Sequence, residues 1–427
     1  MKTKLLIFGI TGVLGTRKLL PALEQIISTG DFEDLSVVGV SRHSVDTKDL
    51  FIKCKNKKFL DGKLSIFEMD LTKLEEYKKL QDFINLSNNE QLIIYLAVPP
   101  QAAPQIVEFL GETGINKSNV KILFEKPFGV DLTSAENLIT KTSQHFKEGQ
   151  TYRIDHYLAK EMAQNIVAFR SHNALFSDIW NNNFIESINI TASEQIDIEG
   201  RAQFYEQTGA LRDLLQGHMM QLLALTLMNI PRNFDWDMMP SLRLEALKHL
   251  HLADIKKVMR AQYKGYRDEV NNSSSMVETF VSFVLTSHNP HWVGVPIRLT
   301  TGKALADYTT EIRIRLKKIN GVDGNCLIFR IQPNEGVDIE LFVKKPGYNR
   351  EFETRNLSFN YPSGTVLPNA YEQVIVDAIL SEKSLFTSSG EVLQSWRILQ
   401  PIRDMWANAN YPLDLYDKGS SIVSILA

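Results

Sequence analysis

The sequence has little from which to build a disulfide framework, a metal centre or a membrane anchor. Among 427 residues there are only two cysteines, Cys54 and Cys326, too far apart in sequence for metal-ligand spacing. That usage fits a reducing, cytoplasmic compartment. No apolar run approaches a membrane span. The opening stretch, Met1 to Gly9, is too short in its apolar part for a secretory signal and runs into a glycine turn, so it reads as a strand. Charge of one sign is also missing. Lys and Arg number 47 against 50 Asp and Glu, for a net charge of −3. Nothing in the bulk charge therefore points to nucleic acid or to a membrane surface. Internal repeats and low-complexity segments are absent as well. What remains is the composition of a globular protein, 44% hydrophobic and 23% charged. The length suits two domains better than one core.

The first part of the chain alternates apolar runs with helical periodicity. Lys4–Phe8, Leu35–Val40, Leu64–Met69, Gln91–Val98 and Val120–Phe124 read as buried parallel strands, and Gln150–Tyr157 as the last strand of this part. Helices are expected over 16–27, 101–111, 130–146 and 160–169. This is a Rossmann-like, doubly wound α/β pattern. Between the first strand and helix lies Gly9-Ile-Thr11-Gly12-Val-Leu-Gly15. Gly9 permits a tight turn, Gly12 lets backbone approach a pyrophosphate, and Gly15 lets the helix pack against the strand. The helix N-terminus then offers N–H groups and its dipole to the phosphates. The second strand ends at Ser41-Arg42, where an arginine suits a 2′-phosphate, so NADP is expected, with NAD still possible. Pro99 and Lys126 follow the fourth and fifth strands, at the carboxyl ends where ligands bind in such sheets. Gly9, Thr11, Gly12, Gly15, Arg42, Pro99 and Lys126 are the expected cofactor residues.

Beyond residue 155 the pattern changes. Phe184–Ala192 alternates with period two, as do Glu278–Leu285, Val295–Thr301, Glu311–Leu316 and Cys326–Ile331, with Ile339–Lys344 after them. Glu206–Met228 reads as one long helix, Leu242–Leu252 as another, and Tyr371–Leu380 and Val392–Ala407 as closing helices. The expectation is a dinucleotide-binding domain over 1–155, then an α+β domain over 156–427 with a large, mainly antiparallel sheet.

The window Gln150–Glu161 is unusual. It carries Arg153, Asp155, His156, Tyr157, Lys160 and Glu161 with few apolar residues between them. A core strand would not hold that load, and a solvated face would not need the tyrosines. It reads as the floor of a site for a phosphorylated substrate. His156 and Lys160 supply the charge and donors a phosphate dianion needs. A second polar cluster, Arg212-Asp213 and Gln216-Gly217-His218, interrupts a helix rich in Leu and Met.

Taken together, several stretches resemble the glucose-6-phosphate dehydrogenase family. They are Gly9–Gly15, Tyr95–Pro100, Glu125–Gly129, Arg153–Glu161, Leu211–Gln221, Thr301–Leu305, Ile331–Glu335 and Asn369–Glu372. The stretch Arg-Ile-Asp-His-Tyr-Leu-Ala-Lys-Glu is the most specific. The resemblance implies oxidation of a hexose phosphate to a lactone, with hydride passing from sugar C1 to the nicotinamide, at the start of the oxidative pentose phosphate pathway. It implies that His218 is the base and that Asp155 orients it. His156, Tyr157 and Lys160 would hold the sugar phosphate, and Lys126, Glu194, Asp213, Lys303 and Gln332 would make other substrate contacts. A carboxylate-supported histidine suits removal of a hydroxyl proton near neutral pH, and no metal is needed. Homodimers or homotetramers are implied, through the exposed face of the antiparallel sheet.

Taken singly, some of these residues are equally compatible with other roles. Glu194 fits an exposed strand-end acid, and Lys303 a solvated turn lysine. The chain also departs from the family pattern at Val13, Gly15, Ala159, Gly217, Thr300 and Tyr308, and it is short between Arg42 and Tyr95. A second, structural NADP is not expected. Other readings are a relative acting on another hexose phosphate or modified sugar, and a family member without catalysis.

Overall fold

The computed structural model describes residues 2–362, 364–365, 367–407 and 411–427. The chain forms two compact units. One comprises Met1–Ala159, Trp236–Pro240 and Pro368–Leu393, and the other Lys160–Asp235, Ser241–Leu367 and Gln394–Ala427.

The first unit is built on a parallel sheet. Its strands are β1 (Lys2–Phe8), β2 (Leu35–Ser41), β3 (Leu64–Glu68), β4 (Glu90–Leu96), β5 (Val120–Phe124) and β6 (Thr151–Ile154). Their spatial order is β3-β2-β1-β4-β5-β6. In β1, Leu5 pairs with Val37 on one side and Ile93 on the other. The chain thus leaves β1 in one direction and returns to its other side at β4, which opens a crevice at the carboxyl end of β1. Leu6, Ile7 and Phe8 are fully buried, as expected of a strand covered on both faces. Helices Leu20–Ser28, Leu74–Ile84, Ala103–Glu112 and Leu132–His145 lie between the strands in sequence. The last begins at Asp131, whose carboxylate accepts the Ser134 N–H at 2.7 Å while Ser134 Oγ accepts the Asp131 N–H at 3.0 Å. That reciprocal cap fixes the helix start.

Two details of this unit differ from the sequence reading. The strand expected over Gln150–Tyr157 ends at Ile154, because the Asp155 side chain accepts the Tyr157 N–H at 3.0 Å and turns the chain out of the sheet. A short late strand, Phe386–Thr387, pairs antiparallel with β6 and covers the edge that β6 would otherwise expose.

The second unit holds a larger sheet. Its strands are β7 (Ile185–Ser193), β8 (Leu250–Leu252), β9 (Met259–Tyr263), β10 (Phe280–Ser287), β11 (Ile297–Gly302), β12 (Thr309–Leu316), β13 (Cys326–Gln332), β14 (Gly336–Lys344) and β15 (Phe352–Asn360). The order is β15-β14-β13-β12-β7-β11-β10-β9, closed by the short strand Asp414–Tyr416, with β8 beside β10. Pairing is mainly antiparallel. The exceptions are β7 with β11 and Asp414–Tyr416 with β9, which are parallel.

Here too the sequence reading needs correction. Leu242–Leu252 is not one helix: the helix is Met239–Lys248, and Leu250–Leu252 is a strand held by β10. Strand β15 was not expected, because Phe-Glu-Thr-Arg-Asn-Leu-Ser-Phe-Asn has no clean apolar face. Nine residue pairs with β14 make it a strand. Strand β9 is short and likewise gains its form from pairing. The long helix expected over Glu206–Met228 is broken at Gly209, which adopts φ 61°, ψ 177°. Only glycine reaches that region readily. After the break, Glu278 caps the new start. Its backbone oxygen accepts the Ala210 N–H and its carboxylate accepts the Leu211 N–H, both at 3.0 Å.

A Cβ at Gly209 would lie 2.4 Å from a Glu278 carboxylate oxygen. Gly209→Ala is therefore expected to lower unfolding free energy by about 1–3 kcal/mol in urea titration. Gly149→Ala, where a Cβ meets nothing within 4 Å, serves as the control. Equal midpoints for the two variants would contradict this account of the kink.

Candidate active site

The turn after β1 has the form its glycines suggested. Gly9 sits at φ +82°, and a Cβ there would lie 2.3 Å from the Ala97 carbonyl oxygen. Gly12 donates its N–H to the Gly9 carbonyl at 3.0 Å, and Thr16 closes the next turn on the Gly12 carbonyl. Gly15 packs so tightly on the Ile10 backbone that a Cβ would fall 2.2 Å from its oxygen. A cavity of about 460 Å³ opens at this turn, and Gly9, Thr11, Gly12, Arg42 and Pro99 all line it. Gly15 and Lys126 do not line it. Gly15 serves the helix packing instead.

Two further residues line this cavity that sequence reasoning did not single out, Asp70 and Thr72. Thr72 donates to Asp70 Oδ1 through its N–H at 3.0 Å and its hydroxyl at 2.7 Å. The backbone bond foremost, then the hydroxyl, holds the Asp70 carboxyl below its ordinary range. The signal was available: Asp70 directly follows the third strand, at the carboxyl edge of the sheet.

In the same unit, Asp155 is fully buried at the end of β6, and its Oδ2 lies 4.0 Å from Lys126 Nζ. Behind them Glu125 accepts the Tyr95 hydroxyl. Burial pushes the Glu125 carboxyl up, against the lowering effect of Tyr95 and Lys126. The Lys126–Pro127 peptide is cis. The His156 ring lies 5.4 Å from that of Tyr157, which is itself buried.

The second unit gathers its polar residues at one end of the sheet, and the strand pairing explains how. Because β7 and β11 are parallel with Ser193 opposite Gly302, the residues that follow them emerge side by side. Glu194 and Lys303 consequently form an ion pair, with the Lys303 side chain almost wholly buried. Thr310 and Gln332 meet across β12 and β13, where Gln332 Nε2 donates to Thr310 Oγ1 at 3.1 Å. Lys160 donates to Gln332 Oε1. Burial lowers the Lys160 ammonium, and the nearby Glu335 opposes that. Burial in turn raises Glu335, and Lys160 opposes that. Glu335 is the residue here that sequence reasoning quoted in a motif but gave no role.

Asp213 and His218 lie on Leu211–Met219, a stretch wound as a π-helix. In an α-helix, residues five apart differ by about 140° around the axis. In π winding each N–H reaches the carbonyl five residues back, and the wider turn brings such residues nearer to one side. The winding therefore turns Asp213 and His218 toward a common side. His218 is buried.

Comparison with known proteins gives the family. A family model described as glucose-6-phosphate dehydrogenase, NAD binding domain, matches residues 6–165, and one described as the C-terminal domain of the same enzyme matches 167–423. The chain belongs to the glucose-6-phosphate dehydrogenase family. Among relatives, the glucose-6-phosphate 1-dehydrogenase of Borreliella burgdorferi is 35% identical, with 95% of this chain and 92% of that protein covered. That of Bacillus subtilis is 34% identical, with 98% and 94% covered. A solved glucose-6-phosphate dehydrogenase in complex with its substrate glucose-6-phosphate matches with a TM-score of 0.93 at 28% identity, covering 100% of this chain and 97% of that one.

Within this family of oxidoreductases, two of the positions at which the sequence departs from the family pattern sit in different settings. Thr300 is buried and shares a 2.8 Å hydrogen bond with Ser282, so it is part of the sheet interior. Tyr308 is exposed.

Removing Glu194 would leave the buried Lys303 charge without its carboxylate. Glu194→Ala is expected to cost about 1–3 kcal/mol of stability, less than a fully buried pair because Glu194 is partly exposed. Unchanged chemical denaturation would show that the pair carries no such load.

Proposed function

We propose that this protein oxidises D-glucose 6-phosphate at C1 to 6-phospho-D-glucono-1,5-lactone, the opening step of the oxidative pentose phosphate pathway, with NADP as its cofactor. The observation that carries this reading is the set Asp155, His156, Tyr157 and Lys160 in one short stretch of a chain that matches a substrate-bound glucose-6-phosphate dehydrogenase over its full length.

The roles follow from the chemistry of each side chain. His218 takes the proton from the C1 hydroxyl, for which a neutral imidazole near physiological pH is suited. Asp155 orients that ring and supports its positive charge, as a carboxylate does for the histidine of a hydrolytic triad. His156, Tyr157 and Lys160 hold the phosphate. Lys126, Glu194, Asp213, Lys303 and Gln332 take the sugar hydroxyls. Binding energy from the phosphate, remote from C1, is then available to fix C1 in place. Bound NADP supplies the hydride acceptor. Gly9, Thr11, Gly12 and Pro99 shape its cradle, and a side chain at Gly9 would collide with the Ala97 carbonyl on its wall. Arg42, exposed at the end of β2, is assigned to the 2′-phosphate. The Asp70 carboxylate on the same cavity wall supports the secondary reading, that NAD is also accepted.

Initial rates with glucose 6-phosphate, its epimers and free glucose, each with NADP and NAD, test the assignment. Glucose 6-phosphate with NADP is expected to lead, and Arg42→Ala to raise KM for NADP at least about tenfold while sparing NAD. His218→Asn is expected to lower kcat by about 10²–10⁴ with sugar-phosphate binding retained. Absence of NADPH formation at millimolar glucose 6-phosphate would refute the proposal.

We also infer a cytoplasmic homodimer or homotetramer. The two cysteines are free, and the hairpin of β14 and β15 exposes Val343, Leu357 and Phe359 on one face. An apolar patch of that kind asks for a partner surface. Light scattering should give a dimer or larger, and Leu357→Asp with Phe359→Asp should shift it toward monomer. A wild-type monomer at micromolar concentration would refute this.

A further inference from the structure

The second unit contains a cavity of about 420 Å³ to which the proposed reaction assigns no role. Its volume lies in the range of small-molecule sites, about 300–1,000 Å³. Its walls are unusual for such a site, because they bring together three arginines, Arg212, Arg260 and Arg403, with Trp406. Two carboxylates, Glu206 and Glu278, share the lining, but each is already engaged. Glu206 accepts from the Tyr266 hydroxyl, the Asn272 amide and the Ser275 hydroxyl. Glu278 caps Leu211. Burial pushes the Glu278 carboxyl up, and the Leu211 N–H, Arg212 and Arg260 oppose that.

Arg260 is the centre of the arrangement. It is 4% exposed, and among the described residues its hydrogen bonds go to backbone carbonyls rather than to a carboxylate. Its Nε donates to the Pro412 carbonyl at 3.1 Å and its Nη2 to the Tyr411 carbonyl at 2.7 Å. The rings of Trp406 and Tyr411 each lie 5.4 Å from its guanidinium carbon and hold its plane. The remaining nitrogen, Nη1, donates to no described residue. The indole N–H of Trp406 is likewise buried without a hydrogen-bond partner among the described residues. Two donors are thus fixed at one cavity, the Nη1 of a largely buried guanidinium and a buried indole N–H without a partner among the described residues. Leaving the buried indole N–H unpaired costs about 1–3 kcal/mol, so a bound acceptor is the economical explanation.

We propose that this cavity is an anion-binding site, separate from the sugar-phosphate residues, that takes a small metabolite bearing phosphate or carboxylate oxygens. Arg260 and Trp406 donate to its oxygens, and Arg212 and Arg403 supply charge from the rim. The site has a built-in connection to the proposed chemistry, and this part rests on that reading. Leu211 and Arg212 form both a wall of the cavity and the start of the π-helix that carries Asp213 and His218.

The test is calorimetric titration of the full chain with pyrophosphate and, separately, citrate, in a Lys160→Ala background that disables the proposed phosphate site. Saturable binding of one ion per chain is expected for at least one probe, and the probe that binds identifies the oxyanion class. Trp406→Phe, which deletes only the indole donor, and Arg403→Gln should each weaken it about tenfold or more. Hydrogen exchange should slow over 206–212 and 272–278 on addition of the same probe. The proposal falls if neither probe binds saturably, if both variants bind as the parent does, or if protection appears only elsewhere. None of these readouts depends on turnover, so a failure of the dehydrogenase assignment would be seen separately.

Discussion

The parallel pairing of β7 with β11 is the constraint on which the second unit depends. An antiparallel neighbour can follow through a tight hairpin, but a parallel one needs a long crossover to bring the chain back to the starting end. Here the segment between Ser193 and Ile297 includes the helices from Ala202 to Leu227, and with them Asp213 and His218. One pairing choice thus does two things. It sets the ends of β7 and β11 side by side, which joins Glu194 to Lys303, and it makes room in the chain for the helix bearing the proposed base. Had β11 run the other way, Lys303 would have emerged at the opposite edge of the sheet.

Burial governs the charges at both groups of candidate residues. Asp155, Lys303 and His218 are nearly inaccessible, and each lies among polar neighbours or on an element that fixes it. A charged group out of water is tolerated only where a counter-charge or hydrogen bonds replace its hydration. The same demand makes the pairs Lys303–Glu194 and Lys160–Gln332 informative, since they show lysines already steered before any ligand arrives. A phosphate or hydroxyl entering such a place meets donors that need little reorganisation.

The fold was largely legible because most of its elements are written locally. The apolar runs at 4–8, 91–98 and 120–124 can only be buried strands, and the glycine spacing at 9–15 has one common structural use. What could not be read depends on partners distant in sequence. Strand β15 has no apolar alternation and exists because β14 lies beside it. The end of β6 depends on whether the Asp155 carboxylate turns back to the Tyr157 N–H. The break at Gly209 requires knowing that Glu278 occupies the space a side chain would need. The candidate residues were legible for a different reason, that the window 150–161 and the cluster 212–218 carry polarity in places where cores are apolar. Asp70 and Glu335 escaped notice because each is a single acid beside a turn, a setting that solvent alone would explain.

The π winding of Leu211–Met219 ties chain length to helix form. A π turn accommodates one residue more than the α-helix would between hydrogen-bonded groups. Substitutions that preserve volume leave the five-step spacing of Asp213 and His218 untouched. Loss of a single residue between them would restore α winding and set the two four steps apart, about 40° around the axis and on one face. An ordinary helix one residue shorter would thus present the same pair, and the wide turn is where this chain absorbs its additional residue.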